Sequence, residues 1–254
     1  MARSYAIFAF SLFSLTSLAA APAATVNVDN DYRDAAALFQ RRDIVSCLRT
    51  ITLLEKNLEK KPDHLDSQAL ISFAYAHEAF ILSQLGESGT EYISSADAFS
   101  KAVLAQQPKN PFARKAAMML QLIAGNALDV RKTLEKEMTD KETDADLWYI
   151  SAIVGEGDKT LKSLTTALNL NADHIWIYND MAFRALKMND LTTAEKWVRA
   201  LEARRPGLAD ADLLKAAIAA QKRDKKAAQG FWVDFARKAP EFSLVAKLGG
   251  RSKK

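Results

Sequence analysis

The stretch that decides the fold is residues 175–206, IWIYNDMAFRALKMNDLTTAEKWVRALEARRP. Its first part predicts a helix from about Trp176 to Lys187, and the polar residues 188–190 that follow predict a turn. A second helix is predicted from about Leu191 to Ala203, and Pro206 ends it because a proline cannot continue the hydrogen-bonded ladder. The stretch therefore predicts two antiparallel helices joined by a short turn.

Each predicted helix has one face suited to packing. Ala194, Val198 and Leu201 recur at spacings of three and four, which places them on one side of the second helix. Ala182 and Ala185 are the small residues of the first helix, where a second helix can approach closely. A single pair leaves an apolar face uncovered, so stacking of a neighbouring pair is expected to cover it.

Similar residues recur at intervals of 34 positions along the C-terminal half of the chain. A fixed period of this length is typical of helical-repeat solenoids, in which each repeat is one pair of helices. The recurring sets are Ala172, Pro206 and Pro240; Thr160, Ala194 and Ala228; and Ala182 with Ala216.

These units resemble the tetratricopeptide repeat (TPR). In the first unit the family's positions hold Tyr178, Met181, Ala182, Ala194, Val198 and Pro206, whereas Leu201 stands where the family prefers alanine. In the next unit they hold Ala216, Ala228, Trp232 and Pro240, with Phe235 at that same alanine position. The resemblance implies an all-α fold, a right-handed α-solenoid of about six TPR-like antiparallel helix pairs.

Outside these two units the spacing loosens, and we predict four segments. Residues 1–23 are predicted to be a signal peptide and residues 24–138 a set of N-terminal TPR-like helix pairs. Residues 144–241 are predicted to form C-terminal TPR repeats, and residues 242–254 a basic C-terminal tail. The polar residues 139–143 between the two halves are the predicted bend.

The first 23 residues have the three parts of a secretory signal. Arg3 supplies a positive start, residues 6–18 are uncharged and largely apolar, and Ala21-Pro22-Ala23 fits a cleavage site. The apolar stretch is too short for a permanent span, and no cysteine follows the cleavage point to carry a lipid. We therefore expect an exported, periplasmic protein without an integral span after cleavage; retention of the segment as an anchor is the alternative.

Charge is distributed unevenly over a chain of ordinary globular composition. From residue 201 onward there are 13 Lys and Arg against 6 Asp and Glu, whereas residues 24–200 have 21 against 25. The basic C-terminal end could contact an anionic partner or a membrane surface, or these charges could simply be solvated helix faces. The single cysteine, Cys47, excludes an intrachain disulfide and is expected to be buried and inert.

If the TPR resemblance holds, the first helix of each pair lines a concave groove that receives a partner. Aromatic side chains facing solvent would indicate such a binding surface, and packing between neighbouring pairs is the alternative. The basic residues with which some TPR proteins hold a partner's C-terminal carboxylate are missing, so a hydrophobic or helical segment fits better. The predicted partner-binding residues are Phe112, Lys115, Met119, Trp176, Asn179 and Phe183.

We find no pattern that indicates an enzyme, a cofactor or a metal. Phosphate-binding glycine loops and a GxSxG turn are absent, and His77 has no second histidine four residues away. His64 and His174 begin equivalent units and are interpreted as helix-start residues. The acidic pairs interpreted as charges that complement a helix dipole are Asp144 with Asp146 and Asp210 with Asp212.

Taken together, the sequence predicts a periplasmic scaffold or adaptor that binds a protein partner in its concave groove, for envelope assembly or secretion. An alternative is a soluble TPR-type accessory component of a TRAP-like solute transport system, which would bind a small ligand or a binding protein. A nucleic-acid partner is disfavoured, because the basic residues are not interleaved with stacking aromatics. A third alternative, the solenoid part of a wall-cleaving enzyme, lacks any catalytic segment outside the repeats.

Overall fold

The computed structural model describes residues 28–139 and 142–242, which form twelve α-helices and no strand. Successive helices pack as six antiparallel pairs in an all-α solenoid. The pairs are α1 (Val28–Phe39) with α2 (Ile44–Lys60), α3 (Leu65–Gln84) with α4 (Thr90–Gln106), α5 (Pro111–Ile123) with α6 (Ala127–Glu137), α7 (Ala145–Val154) with α8 (Asp158–Leu170), α9 (Ile175–Lys187) with α10 (Leu191–Arg204), and α11 (Ala209–Gln221) with α12 (Lys225–Lys238).

The pair predicted from residues 175–206 is confirmed to within one or two residues at its ends. Asn189 in the turn has a φ of 59°, a left-handed conformation that asparagine adopts more readily than most residues. Asp190 then caps α10, where its side chain accepts a hydrogen bond from Thr193 N at 3.0 Å. This cap satisfies one of the amide groups that every helix start leaves without an internal partner.

The longest of the described helices, α3, is buried among the N-terminal helices. Fifteen of its twenty residues are buried, so it has no polar face. It packs against α1, α2, α4 and α5. A helix that is apolar on all sides is stable only when neighbours surround it, and α3 therefore organises the N-terminal part of the core.

The hydrophobic core connects the N-terminal pair with the C-terminal pairs. One cluster of buried side chains contains Ile44 and Leu48 of α2 together with Leu186 of α9 and Leu214 of α11. At the C-terminal end, Phe242 is fully buried with its ring centroid 5.3 Å from that of Phe235. Contacts thus run between helices that are far apart in the sequence, as well as between successive pairs.

Three of the predicted segments are not covered, or only partly covered, by the described residues. The signal peptide at 1–23 lies outside them, as does the basic tail except for Phe242, and the bend at 139–143 is described without residues 140–141. The division into two halves stays a prediction. Among the described helices, none combines the length and the apolar character needed to cross a bilayer.

Candidate functional site

The inner face of the solenoid carries the residues predicted to bind a partner, and it is covered by the chain itself. Only 1% of Trp176 and 5% of Phe183 are exposed. Of the two alternatives for these aromatic residues, their burial favours packing within the protein over exposure to solvent. Partner binding by the six residues stays a prediction. Of these six, Phe112 is half-buried, whereas Lys115, Met119, Trp176, Asn179 and Phe183 are buried.

The cover is the turn between α1 and α2, residues 39–44, which we name the α1–α2 corner. The ring of Phe39 packs edge-to-face against Trp176 of α9 and Phe73 of α3, with centroid separations of 5.5 and 5.6 Å. The guanidinium carbon of Arg42 lies 4.3 Å from the centroid of Phe39 and 5.1 Å from that of Trp176. Such cation–π contacts are strongest when they are shielded from water, as they are here.

Arg42 itself adopts an unusual backbone conformation, with a φ of 52°. This left-handed geometry is unfavourable for a residue with a long side chain, and it lets the chain reverse between α1 and α2. The Arg42 side chain donates to Phe39 O at 2.5 Å, across the turn that it closes. The strained residue is thus held by contacts on both sides of the corner.

Asp146 at the start of α7 is the centre of a buried ion cluster. Arg42 donates two hydrogen bonds to its carboxylate, from Nε at 2.9 Å and from Nη2 at 2.8 Å. Lys115 Nζ lies 2.8 Å from Asp146 and 2.8 Å from Asp144. His174 Nε2 lies 3.0 Å from Asp146 Oδ1, so the cluster connects the α1–α2 corner with α5, α7 and the start of α9.

The charges in this cluster balance, which explains how it tolerates burial. Burial alone would raise the pKa of Asp146, but the charges of Arg42 and Lys115 and the hydrogen bond with His174 hold it well below its usual range. Burial lowers the pKa of His174 despite its contact with Asp146, so the imidazole is favoured in its neutral form. Arg42 and Lys115 thus oppose Asp146 and Asp144 with equal charge.

A second polar group lies where the α1–α2 corner meets α11. Asp210 accepts a hydrogen bond from Asn179 Nδ2 at 2.6 Å and another from the amide of Ile44 at 3.2 Å. Burial raises the pKa of Asp210 to about 7, and the neighbouring carboxylate of Asp43 adds to the rise. Asp43 in turn accepts a hydrogen bond from Arg205 Nη2 at 2.9 Å. The carboxylates of Asp210 and Asp43 are therefore paired within the chain, whereas the buried atoms His174 Nδ1, Trp176 Nε1 and Asn179 Oδ1 make no hydrogen bond.

A different groove lies between α6, α7 and α8, away from the α1–α2 corner, and we name it the outer groove. Its volume is about 790 Å³, and its apolar residues are Met138, which is half-buried, and Leu134, Trp148 and Val154, which are buried in its floor. Lys159 of α8 forms an ion pair across it with Glu135 of α6 at 3.3 Å, and both side chains are exposed. The groove includes no residue of the α1–α2 corner.

Three side chains with metal-binding chemistry lie together between α2 and α3. Cys47, His77 and Glu78 each offer a ligand atom, and these atoms lie within 4.8 Å of one another. All three side chains are buried. The prediction that Cys47 is buried is confirmed, whereas its position beside His77 and Glu78 was not predicted.

Comparison with solved structures shows which known fold this architecture resembles. A chain of the APC/C hetero-tetramer Cut9-Hcn1 matches with a TM-score of 0.53 and 16% identity, over 84% of this chain and 39% of that one. This chain has a tetratricopeptide-like fold. No protein-family model and no curated protein matches it.

Two further TPR-like matches have lower scores. PilW, a widely conserved type IV pilus biogenesis factor, matches with a TM-score of 0.45 and 14% identity, over 89% of this chain and 99% of that one. Yeast Tom70 matches with a TM-score of 0.45 and 15% identity, over 90% of this chain and 47% of that one. The chain thus spans less than half the length of the Cut9-Hcn1 and Tom70 chains.

Among the residues interpreted from the sequence as helix-start residues, some have the predicted role and others make contacts that the sequence did not reveal. His64 caps α3 as predicted, since its side chain accepts a hydrogen bond from Ser67 N. His174 occupies the equivalent position before α9, but its ring makes no cap and contacts Asp146 instead. Asp146 and Asp210 lie in first turns as predicted, yet their carboxylates are buried in the inner face rather than exposed.

Proposed function

We propose that the protein is an exported, TPR-like adaptor that binds an apolar helical segment of a protein partner in its outer groove. The observation that carries this proposal is the contrast between the two faces. The inner face is filled by the α1–α2 corner, whereas the outer groove is an open cavity of about 790 Å³ with a half-buried Met138 at its edge and an apolar floor of buried side chains. Catalysis and cofactor binding have no part in the proposed function.

The proposed occupant follows from the shape and chemistry of the outer groove. Leu128 is 58% exposed and precedes Arg131, a lining residue, by three positions, so both lie on the same side of α6. A segment that covered Leu128 and the apolar lining would gain about 25 cal/mol for each Å² of apolar surface removed from water. Because the groove runs between two helices, a third helix with apolar residues at spacings of three and four fits it best.

The charges at the edge of the outer groove set a further condition on the occupant. Neither sign dominates, because the three acidic lining residues are matched by three basic ones: Glu135, Glu156 and Asp158 against Arg131, Lys159 and Lys162. Exposed ion pairs such as Glu135–Lys159 contribute little stability and are easily exchanged for new partners. We therefore propose a segment with little net charge rather than a strongly acidic or basic one.

Export to the periplasm belongs to the same proposal. The signal-like residues 1–23 support it, and envelope assembly or secretion is the process we propose for the partner. The basic C-terminal end is proposed as an additional contact with an anionic surface. Fractionation of cells with N-terminal sequencing tests the location: mature protein beginning at Ala24 is expected, and an uncleaved cytoplasmic chain would contradict export.

Photocrosslinking in cells tests the binding surface directly. A photoreactive residue is placed at Lys159, at the edge of the outer groove, with a matched probe at exposed Lys196 on α10. We expect a discrete protein adduct from position 159 and none from position 196. Folded, exported protein that forms no adduct at 159 would contradict the outer groove as the binding surface.

A pair of leucine substitutions then tests whether apolar contact holds the partner. Leu128→Glu places a charge one helical turn from Arg131, a lining residue of the outer groove, whereas Leu170→Glu makes the same change at a leucine that is 42% exposed and lies two turns beyond the lining residue Ser163. Leu128→Glu is expected to abolish the adduct at position 159, and Leu170→Glu to preserve it. Equal adduct yields in the two variants would contradict an apolar docking contact.

A further inference from the structure

We propose that Cys47, His77 and Glu78 form a buried site for one divalent transition-metal ion, with Zn²⁺ the best match. Cys47 lies in α2, and His77 and Glu78 are consecutive residues of α3. Their ligand atoms lie within 4.8 Å of one another, and at most 1% of each residue is exposed. Thiolate sulfur, imidazole nitrogen and carboxylate oxygen are the three donor types that proteins use for Zn²⁺.

The strongest observation is that polar atoms at this place lack partners. Neither carboxylate oxygen of Glu78 makes a hydrogen bond, and His77 Nδ1 also makes none. The Cys47 thiol makes a long contact, 3.7 Å to Ala74 O, and it also interacts with the carboxyl group of Glu78. Buried polar groups in proteins are normally paired, and an unpaired one costs about 1–3 kcal/mol. A ligand held between the three side chains would satisfy these unpaired atoms of His77 and Glu78.

The charges of the three proposed ligands favour a divalent cation. Cys47 and Glu78 are both buried, so a negative charge on either group is costly unless a cation lies beside it. Binding of M²⁺ releases one proton from the thiol and one from the carboxyl group. The resulting thiolate and carboxylate cancel the charge of the ion, while His77 binds as a neutral imidazole. A neutral complex avoids the large penalty of an isolated charge in the core.

The present separation of the ligand atoms is somewhat wider than in a bound site. Zn²⁺ with ligand distances of about 2.0–2.3 Å separates its ligands by about 3.5 Å, so the three side chains must move together. The ring of His77 stacks on Trp176 with a centroid distance of 3.4 Å, which leaves Cys47 and Glu78 to make most of this movement. The fourth position is left to a water molecule or to the nearby Ala74 carbonyl oxygen.

Such a site would act on stability and not on partner binding. It would join α2 to α3 directly beneath the α1–α2 corner, on elements that do not contribute to the outer groove. Because the ligands are buried, the ion would enter while the chain folds or when α2 separates from α3. The inference is independent of the proposed adaptor function.

The first experiment refolds the full chain from denaturant with one equivalent of Co²⁺ or Zn²⁺, followed by exhaustive dialysis. We expect one metal ion per chain by elemental analysis. The Co²⁺ form should show a thiolate-to-cobalt charge-transfer band in the near ultraviolet, and Zn²⁺ should raise the midpoint of thermal unfolding. Wild-type protein that retains no metal under these conditions would overturn the proposal.

Substitution of Cys47 and of Glu78 tests whether these residues bind the metal. Cys47→Ser should lose the charge-transfer band, and Glu78→Gln should lose bound metal while keeping its helical circular dichroism. The matched control is Glu55→Gln, an exposed position on α2 that undergoes the same chemical change. Metal retained equally by Glu78→Gln and Glu55→Gln, or a charge-transfer band that persists without Cys47, would show that these residues are not the ligands.

Discussion

Asp146 shows how one side chain can hold several helices together. It is approached by Arg42 from the α1–α2 corner, by Lys115 from α5 and by His174 from the start of α9. Removing one partner from such a buried cluster leaves an uncompensated charge, which costs about 3–5 kcal/mol. Loss of any one of these partners should therefore strongly destabilise the packing of the inner face.

At the same scale, Asp210 predicts a pH dependence of stability. Its pKa is raised to about 7 in the folded protein, above its value in the unfolded chain, so folding favours its protonated form. This contribution to stability is complete below about pH 4 and is lost as the pH rises to about 7. The side chain in the variant Asp210→Asn cannot ionise. The unfolding free energy of this variant minus that of wild type should therefore be larger at pH 8 than at pH 5.

Urea unfolding at the two pH values measures this difference. Asp43 and Glu78 are present in both proteins, and because the charge of Asp210 raises the pKa of Glu78, the comparison measures Asp210 together with its effect on Glu78. A difference between the two proteins that stays constant from pH 5 to pH 8 would mean that Asp210 does not titrate in this range.

The sequence revealed the position of these acidic residues but not their role. Asp146 and Asp210 occur in first helical turns, where an acidic residue is already explained by the helix dipole. Their partners lie far away in the sequence: Arg42 precedes Asp146 by 104 residues, and Ile44 precedes Asp210 by 166. No local pattern carries such a pairing, so only the folded chain shows it.

At the scale of the helical elements, close packing of α3 on the start of α4 predicts opposite effects for two glycines. A methyl group at Gly89 would lie only 3.0 Å from Ala79 Cα, whereas one at Gly230, inside α12, would meet nothing within 4 Å. Gly89→Ala should destabilise the protein by about 1–3 kcal/mol because the helices must move apart. Gly230→Ala should stabilise it by about 0.5–1 kcal/mol, since alanine favours a helix.

Denaturant unfolding followed by circular dichroism compares both variants with wild type. If Gly89→Ala had the same unfolding free energy as wild type, this result would contradict a tight contact between the start of α4 and α3. A destabilising Gly230→Ala would indicate that α12 is not a regular helix at that position.

The helical elements were also the part best predicted from the sequence. The 34-residue spacing gave α9 and α10 almost to the residue, because amphipathic periodicity and proline stops are local signals. The central role of α3 was not predicted, because a helix that is apolar on all sides gives no periodic contrast. The outer groove depends on how α6, α7 and α8 pack, which no single segment encodes.

For the whole molecule, contacts between distant helices predict cooperative behaviour. In a simple solenoid each repeat contacts only its neighbours, and damage to one end stays there. Here Phe39 of the α1–α2 corner packs against Trp176 of α9 and is itself fully buried. Phe39→Ala should therefore cost about 3–5 kcal/mol and should loosen α9 and α11 as well as α1 and α2.

Hydrogen exchange with mass spectrometry locates this effect. Peptides from residues 175–187 and 209–221 should exchange faster in Phe39→Ala than in wild type, alongside peptides from residues 28–60. Val233→Ala, at a 48%-exposed residue of α12, serves as the control and should leave α1 and α2 unchanged. Faster exchange confined to residues 28–84 in Phe39→Ala would indicate that the N-terminal pair is not coupled to α9.

The central claim is that the α1–α2 corner fills the inner face, and a double-mutant cycle between Arg42 and Asp146 tests it most directly. Unfolding free energies are measured for wild type, Arg42→Met, Asp146→Asn and the double variant, with the exposed pair Arg204 and Asp173 as the reference cycle. We expect a coupling energy of about 1–3 kcal/mol for the buried pair and less than about 1 kcal/mol for the reference. A coupling energy of zero between Arg42 and Asp146 would mean that the corner does not occupy the inner face, which would then be open to a partner.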